Sequence, residues 1–225
     1  MAFSSSKAGR VYNVLLERND RVVSTNEIRA ACNLLKLDFK VVLVGLNRAK
    51  VLEPVIFKGV YYVKRREEKD LGVIKEGPLN VIARACSLKL KKNWYFGLAT
   101  ALKLSGLWEQ QTLATATIIT KKRVQRANTS FAGMAVEFKQ LSGVSFNELV
   151  RQKGVLRYSR PARTMLDYAY FGARSKNSLD YAKTILKEIS RKTVGEARLM
   201  DQASKLVDQY PGLYQVFLRN YFELD

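Results

Sequence analysis

Residues 94–122 read WYFGLATALKLSGLWEQQTLATATIITKK. Trp94, Leu98, Ala101, Leu102 and Ser105 recur at three- and four-residue spacing, which predicts a helix with one side turned to a core. Gly97, Ala99, Thr100 and Ala101 are small enough to let a neighbouring element approach closely. Gly106 stands where such a helix would stop, and residues 115–120 then alternate like a strand. The stretch carries no nucleophile, metal ligand or phosphate-binding loop. It reads as the core of an α/β domain.

Around it, 225 residues leave room for one large or two ordinary domains. A hydrophobic content of 47% is that of a globular chain. No window is apolar for long enough to span a membrane, and the N-terminus lacks a signal-peptide pattern. Thirty-nine Lys and Arg against 20 Asp and Glu give a net charge of +19, which favours a polyanionic partner, nucleic acid first. Residues 1–70 hold 14 basic and 8 acidic side chains, 71–160 hold 15 and 4, and 161–225 hold 10 and 8. The middle third is the most basic, so a DNA-binding N-terminus alone does not account for the charge. With no histidine and two distant cysteines, Cys32 and Cys86, zinc fingers and histidine-dependent triads are excluded. No metal or cofactor is expected. Both cysteines are expected as reduced core residues, which points to a cytoplasmic home.

The N-terminal third predicts three short helices. The first covers 6–18. The second opens with the capping box Ser24 to Glu27, and the third with Asp38 as its cap. Phe39, Val42, Leu43, Leu46 and Ala49 form the apolar face of the third. Two β-rich runs, 51–57 and 60–64, are split by Lys58-Gly59 as in a hairpin. Three helices followed by a hairpin is the order of a winged helix-turn-helix, whose third helix would enter the major groove of double-stranded DNA. On that reading Lys40, Val41, Val44, Asn47 and Arg48 face the groove, with Lys50 near the backbone. Lys58, Lys64, Arg65 and Arg66 are phosphate candidates, and Lys7, Arg10, Thr25, Asn26 and Arg29 are further backbone candidates. The opposing reading is a small helical domain with a solvated charged surface.

The charge run 65–70 followed by Leu71-Gly72 and Gly77-Pro78 reads as a linker, placing domains at 1–70 and 71–225. Beyond it, helices are expected over 78–90 and 94–106. Strands are expected over 115–120, 134–141 and 154–158, making a small sheet. Helices follow over 178–191, 194–209 and 212–222. The whole is an α+β chain: a winged helix-turn-helix domain, then a mixed α/β domain with a C-terminal helical segment.

Two motifs, YFGLATALKLSGLWEQ leading into a strand and a basic cluster, and YSRPARTMLDYAYFGAR at 158–174, resemble the landmarks of the AbiEi family of antitoxins and transcriptional regulators. The second landmark matches at Pro161, Leu166 and Asp167, with Ala162 where the family usually has an acidic residue. The resemblance covers roughly residues 1–174. It implies the antitoxin of a type IV, phage-defence toxin–antitoxin system, repressing its own operon. It also implies a functional partner, a nucleotidyltransferase-like toxin, counteracted without a stable complex. A homodimer on operator DNA is left open.

The competing class is a winged-helix nuclease or RNA-processing protein. Glu137 and Lys139 share one strand face, as an E-x-K nuclease core requires. Such chemistry also needs clustered carboxylates for metal ions, and the basic middle has few, so no catalytic residue is assigned. The clusters Lys121, Lys122, Arg123, Arg126 and Tyr158, Arg160, Arg163 form a second basic patch. It is suited to RNA, DNA backbone or an acidic protein, or else to plain solvation. Interleaved tyrosines favour nucleic acid.

Overall fold

The computed structural model describes residues 3–108, 113–124, 129–173, 187–189, 191–192 and 196–222. The chain is a mixed α+β protein. Its contacts divide it into two compact units, Met1–Lys89 with Gln125–Met134, and Leu90–Val124 with Ala135–Asp225. Among the described residues no helix is long and apolar enough to cross a membrane.

The first unit begins with α1 (Lys7–Leu16), whose start is fixed by the Ser6 hydroxyl accepting from the Gly9 N–H at 3.0 Å. A three-residue strand, β1 (Val22–Ser24), precedes α2 (Thr25–Leu34). Ser24 and Glu27 close the capping box reciprocally, with Ser24 Oγ accepting from the Glu27 N–H and Glu27 Oε2 accepting from the Ser24 N–H. Helix α3 (Phe39–Arg48) starts where Asp38 Oδ1 accepts from the Val41 N–H at 2.9 Å. Helices α2 and α3 both end in Schellman motifs built on lysine. Lys36 (φ 54°) and Lys50 (φ 56°) take the left-handed position usually given to glycine. The next residues close the motifs, Leu37 N–H on Cys32 O and Val51 N–H on Leu46 O. Leu37, Val51, Cys32 and Leu46 all join the unit's core with Val11, Leu15, Ile28 and Val42, and that burial outweighs a backbone cost of about 1 kcal/mol at each lysine.

Strands β2 (Leu52–Pro54) and β3 (Val60–Val63) complete an antiparallel sheet of order β1-β3-β2. The expected strand 51–57 is shortened at its far end. Val55, Ile56 and Phe57 leave the ladder to bury their side chains. Gly59 turns the hairpin at φ 74°, and its carbonyl accepts from both the N–H and the hydroxyl of Thr25.

The expected linker at 65–70 is corrected. These residues run into α4 (Arg66–Leu71), and Glu68 within it is 0% exposed. Its carboxylate takes a 2.5 Å ion pair from Arg21, a 2.8 Å hydrogen bond from the Tyr62 hydroxyl, and the N–H groups of Arg65 and Lys75. Glu76 then pairs with Arg84 at 2.8 Å and Arg21 at 3.7 Å, and Arg84 lies 3.6 Å from Asp20. These contacts draw α5 (Pro78–Leu90) into the first unit, so the division falls at Lys89–Leu90 and not near residue 70. A short strand, β6 (Ser130–Phe131), belongs to the same unit, with Phe131 edge-on to Tyr62 at 6.4 Å.

Burial alone would raise the Glu68 carboxyl. The Arg65, Tyr62 and Lys75 hydrogen bonds and the Arg21 charge overcome it and hold the group below its ordinary 4.5. A depressed acid binds protons more readily in the unfolded chain, so its contribution is present above pH 4.5 and disappears as pH falls through the folded value. Thermal melts of Glu68→Gln between pH 3 and 7 are expected to show a lower midpoint at neutral pH and a flatter acid limb. Parallel curves for variant and wild type would count against this assignment.

The second unit opens on β4 (Trp94–Phe96), followed by α6 (Leu98–Leu104). The expected single helix over 94–106 is thereby corrected. Trp94, Tyr95 and Phe96 are all fully buried in strand conformation, and the chain turns at Gly97 with Leu98 at φ 53°. Gly97 allows that turn to lie on the sheet, since a Cβ there would sit 2.5 Å from Ile119 Cγ1. The strands β5 (Thr115–Thr120), β7 (Met134–Gln140), β8 (Val150–Lys153) and β9 (Leu156–Ser159) pair with β4 in the order β7-β5-β4-β9-β8. Pairs β5–β7 and β4–β9 are parallel, and β4–β5 and β8–β9 antiparallel.

Helices α7 (Pro161–Ala173), α8 (Glu196–Val207) and α9 (Gly212–Phe222) supply Met165, Leu166, Ala203, Leu206 and Leu218 to a core shared with Tyr95, Leu102 and Ile119. The expected helix over 178–191 lies mostly outside the described residues.

Candidate nucleic-acid interface

Helix α3 buries Val42 and Leu46 in the core of the first unit and leaves Lys40, Val41, Val44, Asn47 and Arg48 exposed. Burial of Val42 and Leu46, four apart, fixes the rotation of the helix, so Lys40, Val44 and Arg48, likewise four apart, share the opposite face with Val41 and Asn47. Gly45 lets α3 approach α1, where a Cβ would fall 2.7 Å from Ala8 Cβ. Alongside runs an open groove of about 940 Å3. Its walls include Phe3, Lys7, Lys40, Val41, Val44 and Arg48, and Lys69 from α4.

Every charged residue lining this groove is a cation. Among the described residues none of Lys7, Lys40, Arg48 and Lys69 has an ion-pair partner, whereas several cations elsewhere on the unit are neutralised. Arg18 pairs with Glu27, Arg21 with Glu68, and Arg84 with Glu76. The groove therefore gathers four unneutralised cations with no acidic side chain among its lining residues.

The structure brings Lys7, Lys40, Val44 and Arg48 together in the groove, with Asn47 exposed on the same helix. Lys50 follows α3 and is exposed, as are Arg10 on α1 and Lys58 in the hairpin turn. Four other candidates are engaged within the unit. The Thr25 hydroxyl is given to the Gly59 carbonyl. Arg29 lies over the Phe39 ring at 4.7 Å and reaches Asn26 Oδ1 at 3.4 Å. Lys64 holds Glu53 at 2.5 Å, and a lysine already neutralised is a poor phosphate contact. Arg65 and Arg66 are exposed at the start of α4, the latter 3.9 Å from Asp70. Lys69 was missed because it sits in a mixed charge run that reads as a linker. Only the fold of α4 sets it beside α3.

The second basic patch is corrected in part. Lys121, Lys122, Arg123 and Arg160 are exposed, while Arg126 lies outside the described residues. Arg163 is 0% exposed and belongs to the core. Its Nε donates to the Tyr95 hydroxyl at 3.2 Å and its Nη1 to the carbonyls of Ser145 and Glu148. Asp167, also fully buried, accepts from the Tyr95 and Tyr210 hydroxyls at 2.9 and 2.7 Å, with Arg163 Nε 3.9 Å away. Burial raises the Asp167 carboxyl above its ordinary value despite the Arg163 charge and both tyrosine hydrogen bonds. Tyr158, Tyr168 and Tyr170 are buried too, so they serve the core and offer no stacking platform. The pair Glu137 and Lys139 on β7 forms a 2.8 Å ion pair, and among the described residues no group of three acidic, cysteine or histidine side chains is arranged to hold a metal.

No family model and no curated protein matches the chain. Among solved structures it is similar to the Rv2827c protein from Mycobacterium tuberculosis, at 15% identity and a TM-score of 0.56, over 90% of this chain and 76% of that one. At that identity the likeness is one of fold.

Proposed function

We propose that the chain is a DNA-binding transcriptional regulator whose first unit is a winged helix, with α3 entering the major groove and the β2–β3 hairpin as a short wing. The observation that carries this is the groove beside α3: four cations without an ion-pair partner among the described residues, Lys7, Lys40, Arg48 and Lys69, line it with Val41 and Val44 and no acidic side chain, and Asn47 is exposed on the same helix. The order α1, β1, α2, α3, β2, β3 with sheet order β1-β3-β2 supports it, since a winged helix inserts a strand between its first two helices and pairs it with the hairpin.

In its finer form the reading is that of an autorepressing antitoxin acting in the cytoplasm. This rests on the resemblance of residues 94–122 and 158–174 to the AbiEi family. The second unit would then carry the action against a nucleotidyltransferase-like toxin.

The test is duplex binding by the full chain across salt concentrations. Log Kd is expected to rise steeply with log salt, by roughly 0.9 for each phosphate neutralised. A flat dependence would remove the charge argument on which the reading stands.

A further inference from the structure

We propose that Val41 and Val44 are sequence-reading residues and that the group they read is the C5 methyl of thymine. The inference rests on the DNA-binding reading of α3 and names what that face selects.

The two valines are 58% and 59% exposed on a helix that buries Val42 and Leu46 completely. They stand three residues apart, one turn of the same face, with Lys40 before them and Asn47 and Arg48 after. Both line the groove whose charged residues are all cations. The cations select a polyanion, and phosphates alone would leave two branched apolar side chains against water. The major groove resolves this, because its one apolar group is the thymine methyl, set among base-edge acceptors and flanked by phosphates. Neither valine is needed for the core, and their chemistry differs from every other exposed side chain of this face. An acidic peptide with apolar anchors would be the other way to match such a surface, and the experiment separates the two.

Full-length protein would be used to select duplexes from a random-sequence pool. The best duplex would then be remade with deoxyuridine replacing each thymidine in turn, which removes only the methyl. At one or two positions the change is expected to raise Kd by about fourfold per methyl, the worth of one buried carbon. Val44→Ala or Val41→Ala should make thymidine and deoxyuridine equivalent there, with the salt slope and unfolding midpoint unchanged. Two results would overturn the assignment while leaving α3 as the DNA-binding helix. One is a selected duplex indifferent to every deoxyuridine, and the other is a penalty that persists in both valine variants. Absence of duplex binding at low salt, with or without capture of an acidic apolar peptide, would overturn it together with the regulator reading.

Discussion

Replacing Lys40 and Arg48 together by alanine is expected to weaken duplex binding by at least about a hundredfold, with the unfolding midpoint nearly unchanged. Both side chains lie on the outer face of α3, line the groove, and have no ion-pair partner among the described residues. Their removal takes no contact from the core, and surface changes of this kind stay within about 0.5 kcal/mol. Each contact to a base edge or phosphate contributes about 1–3 kcal/mol to recognition, so the loss of two supports the estimate. The salt dependence should also become shallower, by roughly one in slope for each phosphate contact removed. Lys64→Ala is the control. That lysine is spent on Glu53, so its loss should cost binding far less. Equal losses from the two variants would mean that affinity follows net charge and that α3 has no special place.

The second large effect belongs to stability. Asp167→Ala is expected to destabilise the protein by about 3–5 kcal/mol, since it leaves the Arg163 guanidinium buried without its carboxylate and strips two tyrosine hydroxyls of their acceptor. Arg163 Nη2 already has no hydrogen-bond partner and is sealed from solvent, so the cluster has no slack to absorb a further loss. Asp167→Asn keeps an acceptor in place and should cost less. Combining Asp167→Leu with Arg163→Met should recover part of the loss, because removing both charges also removes the desolvation penalty. Denaturant titrations monitored by tryptophan fluorescence would decide, with Trp94 buried beside Tyr95 in β4 as the reporter. A double variant less stable than Asp167→Ala alone would show that the pair adds more than its desolvation costs.

Legibility in the sequence followed the range of the interactions. Helix starts at Ser6, Ser24 and Asp38 could be read because a cap is settled within four residues. The strands at 115–120 and 134–140 could be read from alternation. Strand β1 could not, as three residues between two helices carry no period. The lysine Schellman motifs were equally hidden, because the expected marker is glycine. Residues 94–96 satisfy helical and strand spacing alike, and burial on both faces of the sheet settled the matter.

The largest departures concern charge. Glu68 and Arg163 look in sequence like ordinary surface residues, and each is buried by partners tens of residues away, Arg21 and Tyr95. For the candidate site the residue types and the helix were legible. What was not legible was which cations are neutralised, since Glu53 and Lys64 meet only through strand pairing.

The first unit takes in residues 125–134, which follow a long excursion of the chain through the other unit. On the ribosome the core around α1, α2 and α3 is therefore complete once residue 63 emerges, whereas the side of the unit at Tyr62 is not. That side waits for Phe131 to reach Tyr62, by which time β4, α6 and β5 have already been made. A nascent chain cut short before that point would carry α3 on a finished core but leave the Tyr62 ring without its Phe131 neighbour, so the last contact of the first unit is made only after the chain has passed its midpoint.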